Sequence, residues 1–288
     1  MNKIIQEMLS TYACKSLDDY RFALKEIIQL IALSGLSRGN FFATAAFYGG
    51  TALRTFYGLR RFSEDLDFTL LVPDTDFNIT DYFGFIEDEL SSYGFVVEIS
   101  RKEKAVISQV ESAFIKANTL VRMINVVAMS SPVAGVAKNE ILKIKLEIDT
   151  LPPPLATTEI KYQLQPTPFA LRLYDLPSLF AGKLHAVLCR GWGSGRVKGR
   201  DLYDYVWYLS QGISVNLPHL EARMRQSGHW QNENTLDISH LRQLLLDKFS
   251  QIDYPKAILD VRPFILDQEY LSLWNNDFFL AITMDKLK

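Results

Sequence analysis

The part of the chain that most restricts its fold is a glycine-rich turn followed by an alternating acidic run. Gly49, Gly50 and Thr51 open a predicted short helix, and Asp65 and Asp67 follow in a run whose intervening residues are apolar. Successive side chains of a strand point to opposite faces, so both carboxylates are predicted to share one face. The pattern predicts a sheet strand that presents two acids close to a glycine turn.

These residue types suit a metal ion and a phosphate chain. Two neighbouring carboxylates repel each other unless a cation lies between them, and Mg²⁺ prefers oxygen ligands of this kind. Glycines let a backbone approach phosphate oxygens, and a helix N-terminus offers N–H groups to an anion. We therefore expect Gly49, Gly50 and Thr51 to bind nucleotide phosphates, with Ser63 bonding a phosphate, a water or the backbone. The competing interpretation is a solvated strand face beside a capped helix.

Three motifs in order carry a resemblance to a known family. Residues 48–54 read Tyr-Gly-Gly-Thr-Ala-Leu-Arg, residues 181–186 read Ala-Gly-Lys-Leu-His-Ala, and residues 199–204 read Gly-Arg-Asp-Leu-Tyr-Asp. Together with the Asp-x-Asp strand they resemble the AbiEii/AbiGii toxins, which are DNA polymerase β-like nucleotidyltransferases of type IV toxin–antitoxin and abortive-infection systems. The resemblance runs from about Tyr48 to Leu209 and implies metal and catalytic roles for Asp65 and Asp67.

The same resemblance implies further site residues. Lys183 matches a catalytic lysine that contacts the triphosphate, although its helical position also suits a lysine that merely extends to solvent. Asp201 matches a functional aspartate that orients Lys183 or assists proton removal. A third carboxylate for the metal is expected on the alternating strand 141–149, with Glu147 first and Asp149 second; an exposed Lys/Glu ladder is the alternative. We expect Asp204 only to favour the helix dipole.

Other charged and polar residues allow two interpretations each. The glycine-rich loop around Trp192 contributes cations that suit an RNA backbone, although a flexible connector is the alternative; these are Arg190, Arg196, Lys198 and Arg200. Arg54, Arg60 and Arg61 either steer the triphosphate or lie on the surface. We expect His185 to be structural.

The periodicity predicts an α+β fold: a polymerase β-like mixed sheet with flanking helices, then a helical C-terminal domain. The predicted domains are 1–165, with N-terminal helices, and 166–288. Proline cannot donate to a strand ladder, so Pro152–Pro154 are expected to end the sheet. Beyond Pro168 the pattern is helical, with helices predicted at 176–189, 201–211, 218–225, 238–249 and 263–278.

Composition excludes several classes of protein. There is no apolar stretch of the length that a membrane span needs, and Gln6 and Glu7 interrupt the apolar N-terminus, so we expect a cytoplasmic protein. Cys14 and Cys189 are too isolated in sequence to predict a disulfide framework or a zinc site. A net charge of −2 argues against a protein coated in nucleic acid, although a local basic patch stays possible.

The predicted function is that of a metal-dependent nucleotidyltransferase toxin. The resemblance implies Mg²⁺ or Mn²⁺, a nucleoside triphosphate, an RNA acceptor such as the 3′ end of tRNA, and a cognate antitoxin. Pyrophosphate would leave towards Lys183. The alternatives are transfer to a small molecule or a protein, and a non-catalytic nucleotide-binding module.

Overall fold

The structure is a computed structural model that describes residues 2–101, 119–128, 141–190 and 198–288. Within these residues it contains ten α-helices: α1 Lys3–Ser10, α2 Leu17–Arg38, α3 Gly49–Tyr57, α4 Phe83–Ser92, α5 Leu176–Cys189, α6 Gly199–Ser210, α7 Leu217–Gln226, α8 Ile238–Phe249, α9 Tyr254–Val261 and α10 Asn276–Lys286. Seven strands accompany them: β1 Ala45–Tyr48, β2 Asp65–Leu70, β3 Phe95–Arg101, β4 Thr119–Ala128, β5 Leu142–Asp149, β6 Thr158–Gln163 and β7 Phe169–Tyr174. The mixed α+β fold class is confirmed.

The strands form one mixed sheet in the order β3-β4-β5-β2-β1-β7-β6. Strand β2 lies near the middle, antiparallel to β1 and parallel to β5. Strands β3, β4 and β5 form an antiparallel series, and β7 runs parallel to β1. The acidic strand is therefore held between two neighbours, and β5 is one of them.

The apolar face of the sheet forms the core behind the acids. Leu66 and Phe68 of β2 are fully buried, as are Leu146 and Ile148 of β5. Each of these residues alternates with a polar residue along its strand, so the buried face and the polar face are fixed together.

Local capping sets the start of the main helices. The Ser16 hydroxyl accepts a hydrogen bond from the Asp19 N–H at 3.1 Å, and the Asp19 carboxylate accepts one from the Ser16 N–H at 2.9 Å. This reciprocal pair starts α2 as a capping box. The Asp175 carboxylate accepts from the Ser178 N–H at 3.0 Å and caps the start of α5.

The backbone groups into two compact units. The first consists of Met1–Ala52, Phe62–Pro152 and Glu159–Leu173, and the second of Leu53–Arg61, Pro153–Thr158 and Tyr174–Lys288. The second unit has an aromatic core in which Phe180 stacks on Tyr208 with ring centroids 4.4 Å apart. The domain limits expected from the sequence, 1–165 and 166–288, stay a prediction.

Two expectations about the C-terminal half are wrong. The sheet does not end at Pro152–Pro154, because β6 and β7 follow; β7 alternates buried Leu171 and Leu173 with half-buried residues, a period-two signal that the sequence interpretation missed. The predicted helix over 263–278 is also wrong, because no single α-helix spans this stretch of the described residues and α10 begins only at Asn276. Short 3₁₀ turns at Arg262–Phe264 and Glu269–Leu273 occupy it, and the Asn275 side chain caps the helix that follows.

None of the helices that the structure describes is both long enough and apolar enough to cross a membrane.

Candidate active site

The parallel pairing of β2 and β5 gathers the predicted acids on one face. The register places Asp65 beside Lys145 and Asp67 beside Glu147. Paired residues of adjacent strands point to the same face, and such strands lie about 4.8 Å apart. Two strands that are distant in sequence thus present their acidic side chains together.

The register favours Glu147 over Asp149 as the third carboxylate. Glu147 lies beside Asp67, whereas Asp149 lies beside the buried Thr69 at the far end of the pairing. The Asp149 carboxylate also accepts a hydrogen bond from the Leu151 N–H at 3.0 Å, which turns the chain out of the strand. Asp149 thus has a local structural role at the end of β5.

The glycine turn lies directly against Asp67. Gly49 has φ of +81°, a left-handed conformation, and a Cβ atom placed on it would lie 3.0 Å from the Asp67 Cβ and closer still to its carboxylate. Gly49 also begins α3, whose first N–H groups lack partners within the helix. Glycine is required here by backbone conformation and by the space that Asp67 occupies.

Thr51 and Ser63 hold the chain around β2. The Thr51 side chain is buried, and its hydroxyl donates to the Asp65 carbonyl oxygen at 2.5 Å. This hydrogen bond positions Asp65, and the expectation that Thr51 binds a phosphate stays a prediction. The Ser63 carbonyl accepts from the buried Gln29 side chain at 3.3 Å, and the Ser63 side chain is half-buried.

Lys145 belongs to the site, although the sequence interpretation assigned it no role. Its ammonium pairs with the Glu147 carboxylate, and both side chains are partly exposed. Burial by itself lowers the pKa of Lys145, but the bond to Glu147 and the charges of Asp65 and Asp67 raise it above its ordinary value. Its position two residues before Glu147 on an alternating strand was the signal that could have identified it.

The donor set fits a hard divalent cation. Asp65, Asp67 and Glu147 supply only oxygen atoms, which Mg²⁺ and Mn²⁺ prefer over nitrogen or sulfur. The ammonium of Lys145 already lies among these carboxylates. Asp65, Asp67 and Glu147 are not among the described residues whose possible ligand atoms all lie within 4.8 Å of one another, so a shared cation would have to draw their side chains closer together.

A second charged cluster lies in the second unit and contains Lys183 and Asp201. Arg61 donates two hydrogen bonds of 2.6 Å to Asp204, one to each carboxylate oxygen. The Lys183 ammonium lies 2.6 Å from Asp201 and 2.8 Å from Asp204, and Arg190 lies 2.7 Å from Asp201. Burial alone raises the pKa of Asp201, but Lys183 and Arg190 hold it well below its ordinary value.

This cluster corrects two expectations. Asp204 is not merely a dipole residue, because it is fully buried and accepts bonds from Arg61 and Lys183. Arg61 is neither a surface arginine nor exposed to a phosphate, because its side chain is only 4% exposed and binds Asp204 in a bidentate pair. Arg60 is exposed, and Arg54 donates to the Leu59 carbonyl oxygen at 3.1 Å.

Three of the four predicted RNA-binding cations are close together. Burial lowers the pKa of Lys198, and the charges of Arg200 and Arg190 lower it further, so these groups repel one another. Arg200 lies over the Phe264 ring at 4.1 Å. Arg196 and Trp192 lie outside the described residues. Asp201 and Asp260 act on Lys198 in the opposite direction, so acids lie among these cations and their RNA-binding role stays a prediction.

Cys189 is less isolated than its sequence position indicated. His185, Cys189 and His229 have possible ligand atoms within 4.8 Å of one another. The Ser227 hydroxyl lies 2.9 Å from the His185 Nε2 and 3.0 Å from the His229 Nδ1, so hydrogen bonds account for the cluster. The structural role expected for His185 stays a prediction.

Comparisons with known proteins concern the fold and the family of this chain. The chain is similar to the crystal structure of JHP933 from Helicobacter pylori, with a TM-score of 0.53 and 19% identity over 91% of this chain and 90% of that one. A second H. pylori protein, provisionally named a nucleotidyltransferase, matches with a TM-score of 0.49 and 19% identity over 90% of this chain and 92% of that one. The likeness to JHP933 concerns the fold alone. No curated protein sequence matches significantly.

A family model described as "Nucleotidyl transferase AbiEii toxin, Type IV TA system" matches residues 31–281. The match extends over both compact units and includes all three sequence motifs. The chain therefore belongs to the AbiEii family of nucleotidyltransferase toxins of type IV toxin–antitoxin systems.

Proposed function

We propose that this chain transfers a nucleoside monophosphate from a nucleoside triphosphate to an RNA end, as the toxin of a toxin–antitoxin pair. The observation that carries the proposal is the β2–β5 register, which places Asp67 beside Glu147 and next to the Gly49 turn. Nucleotidyltransferases generally use a triphosphate and a divalent metal, and membership of the toxin family implies a cognate antitoxin.

Asp65, Asp67 and Glu147 would hold the divalent cation, for which we propose Mg²⁺. When bound, the cation neutralises charge on the triphosphate and makes the α-phosphorus more electrophilic. The N–H groups at Gly49 and Gly50 would bind the phosphate chain, since they open a helix. Thr51 keeps Asp65 in place through its backbone.

The proposed reaction is an in-line displacement. A bond forms between an acceptor hydroxyl oxygen and the α-phosphorus while the bond to the bridging α–β oxygen breaks. Pyrophosphate leaves with the electron pair, and the hydroxyl proton passes to Glu147 and then to solvent. The catalytic roles expected for Lys183 and Asp201 stay predictions.

We propose the 3′ end of tRNA as the acceptor. Support comes from Arg190, Lys198 and Arg200, three cations that lie close enough to influence one another and that suit a phosphate backbone. Modification of that end would block aminoacylation and hence translation.

The test is transfer of label from each α-labelled nucleoside triphosphate to total tRNA by the full chain. We expect labelled tRNA with the parent protein and a loss of about 100-fold or more with Asp67→Asn, the scale of removing one preorganised electrostatic group. Asp76→Asn, which changes an exposed acid just after β2, should transfer as the parent does.

Two outcomes would contradict the proposal. Equal labelling by the parent and Asp67→Asn would show that transfer does not depend on the proposed carboxylate site. Label found only on protein or on small molecules would show that the acceptor is not RNA.

A further inference from the structure

We propose that Lys145 is a built-in counter-cation of the carboxylate face, which a divalent cation must displace from Glu147 in order to bind. The inference rests on the proposed function, because it assumes that the metal binds this face. It gives Lys145 a positioning role that determines how much metal the protein needs.

The first support is the position of Lys145. It is paired in register with Asp65, and its ammonium is bonded to Glu147, the strand neighbour of Asp67. The electrostatic influence of Asp65 and Asp67 also reaches Lys145. A single ammonium therefore lies within range of the three carboxylates that are the candidate metal ligands.

The second support is the charge balance of this face. Three carboxylates gathered on one sheet face repel one another, and the ammonium reduces that repulsion when no metal is bound. A bound divalent cation would reduce the same repulsion among the carboxylates, with twice the charge of the ammonium. The two cations would repel each other at the shared Glu147, so binding of one disfavours the other.

The third support is that Lys145 is able to leave. Its side chain is 26% exposed, and lysine has a flexible four-carbon stem with a strongly hydrated charge. Rotation of that stem would release Glu147 without any movement of the backbone of β5.

The experiment measures Mn²⁺ binding to the full chain by calorimetry and by electron paramagnetic resonance, without nucleotide. In Lys145→Met the competing charge is gone, so we expect the affinity for Mn²⁺ to rise about 10-fold, within the usual range of coupling between two binding events. Thermal unfolding should show that Lys145→Met is less stable than the parent in metal-free buffer and gains more stability from saturating Mn²⁺.

Lys143→Met is the matched control. Lys143 lies on the same strand and the same face, is exposed, and pairs with Asn125 of β4. This variant should bind Mn²⁺ as the parent does. Lys145→Gln, which keeps a polar side chain, provides a second neutral variant should Lys145→Met fail to fold, and it should bind more tightly as well.

The outcomes separate this inference from the proposed function. Mn²⁺ affinity of both neutral variants equal to or weaker than that of the parent would overturn the role of Lys145. If Asp67→Asn nevertheless loses Mn²⁺ binding, the proposed carboxylate metal site is still supported. Unchanged binding in Asp67→Asn would overturn the carboxylate metal site itself, and with it the present inference.

Discussion

At the scale of single residues, the glycine turn and the acidic strand are joined by close packing and by a hydrogen bond. Gly49 leaves the space that the Asp67 carboxylate occupies, and the Thr51 hydroxyl holds the carbonyl of Asp65. Residues suggested by their phosphate chemistry therefore also position the acids. A change in the turn should therefore displace Asp65 and Asp67, the proposed metal ligands.

Gly49→Ala should abolish transfer, and Gly58→Ala should not. Both glycines have φ near +80°, so each alanine should cost about 1–2 kcal/mol of unfolding free energy from backbone strain. Only at Gly49 does the new Cβ collide with Asp67, since a Cβ added at Gly58 would meet nothing within 4 Å. Urea unfolding and tRNA labelling measure the two effects. Similar activity in both variants would show that the contact with Asp67 is unimportant.

At the scale of elements, pairing between distant segments builds both charged clusters. Strands β2 and β5 are parallel neighbours, which brings Asp67 beside Glu147. Helices α5 and α6 bring Lys183 to Asp201 and Asp204, while Arg61 reaches Asp204 from 143 positions away. A charge inside such a cluster depends on its partners, because burial removes the water that would otherwise solvate it.

Arg61→Gln should destabilise the protein strongly. It removes a bidentate partner of the fully buried Asp204, and breaking a buried pair costs about 3–5 kcal/mol of unfolding free energy. Lys256→Gln is the control, because its pair with Asp253 is exposed and should be worth less than about 1 kcal/mol. Urea unfolding of the two variants gives the comparison. Equal, small losses would mean that the buried pair contributes nothing beyond an exposed one.

At the scale of the whole molecule, two histidines make stability depend on pH. Burial, with nearby Arg223, lowers the pKa of His185 to about 3 and of His219 to about 4. The His219 Nδ1 lies 2.8 Å from the Pro154 carbonyl oxygen, while its buried Nε2 has no partner among the described residues. Protonation would place a charge and an unpaired N–H in the interior.

Acidification from about pH 7 to about pH 5 should therefore lower the melting temperature. An unfolded histidine has a pKa of about 6.5, so the unfolded chain binds more protons in this range and becomes favoured as the pH falls. His185→Gln and His219→Gln should each reduce that loss, whereas His240→Gln, whose side chain is 43% exposed, should not. Scanning calorimetry at the two pH values checks this. An unchanged pH dependence in both buried variants would contradict it.

The acidic residues of the candidate site could be predicted from the sequence, but several strands of the sheet that contains them could not. The alternation around Asp65 and Asp67 was sufficient to place them on one face, and helices α5 and α8 have the predicted limits. Strands β6 and β7 were missed because the prolines before them dominated the local pattern. The functions assigned to Lys183, Asp201 and the basic loop stay predictions.

The sequence by itself determined which side chains share a face of a strand or helix, because backbone geometry sets those periods within a few residues. Only the tertiary structure decided that Glu147 lies beside Asp67, that Lys145 joins them, and that Asp204 is buried. Those facts depend on which strands become neighbours and on where water is excluded. Both arise from contacts between residues far apart in the chain, which a local pattern does not contain.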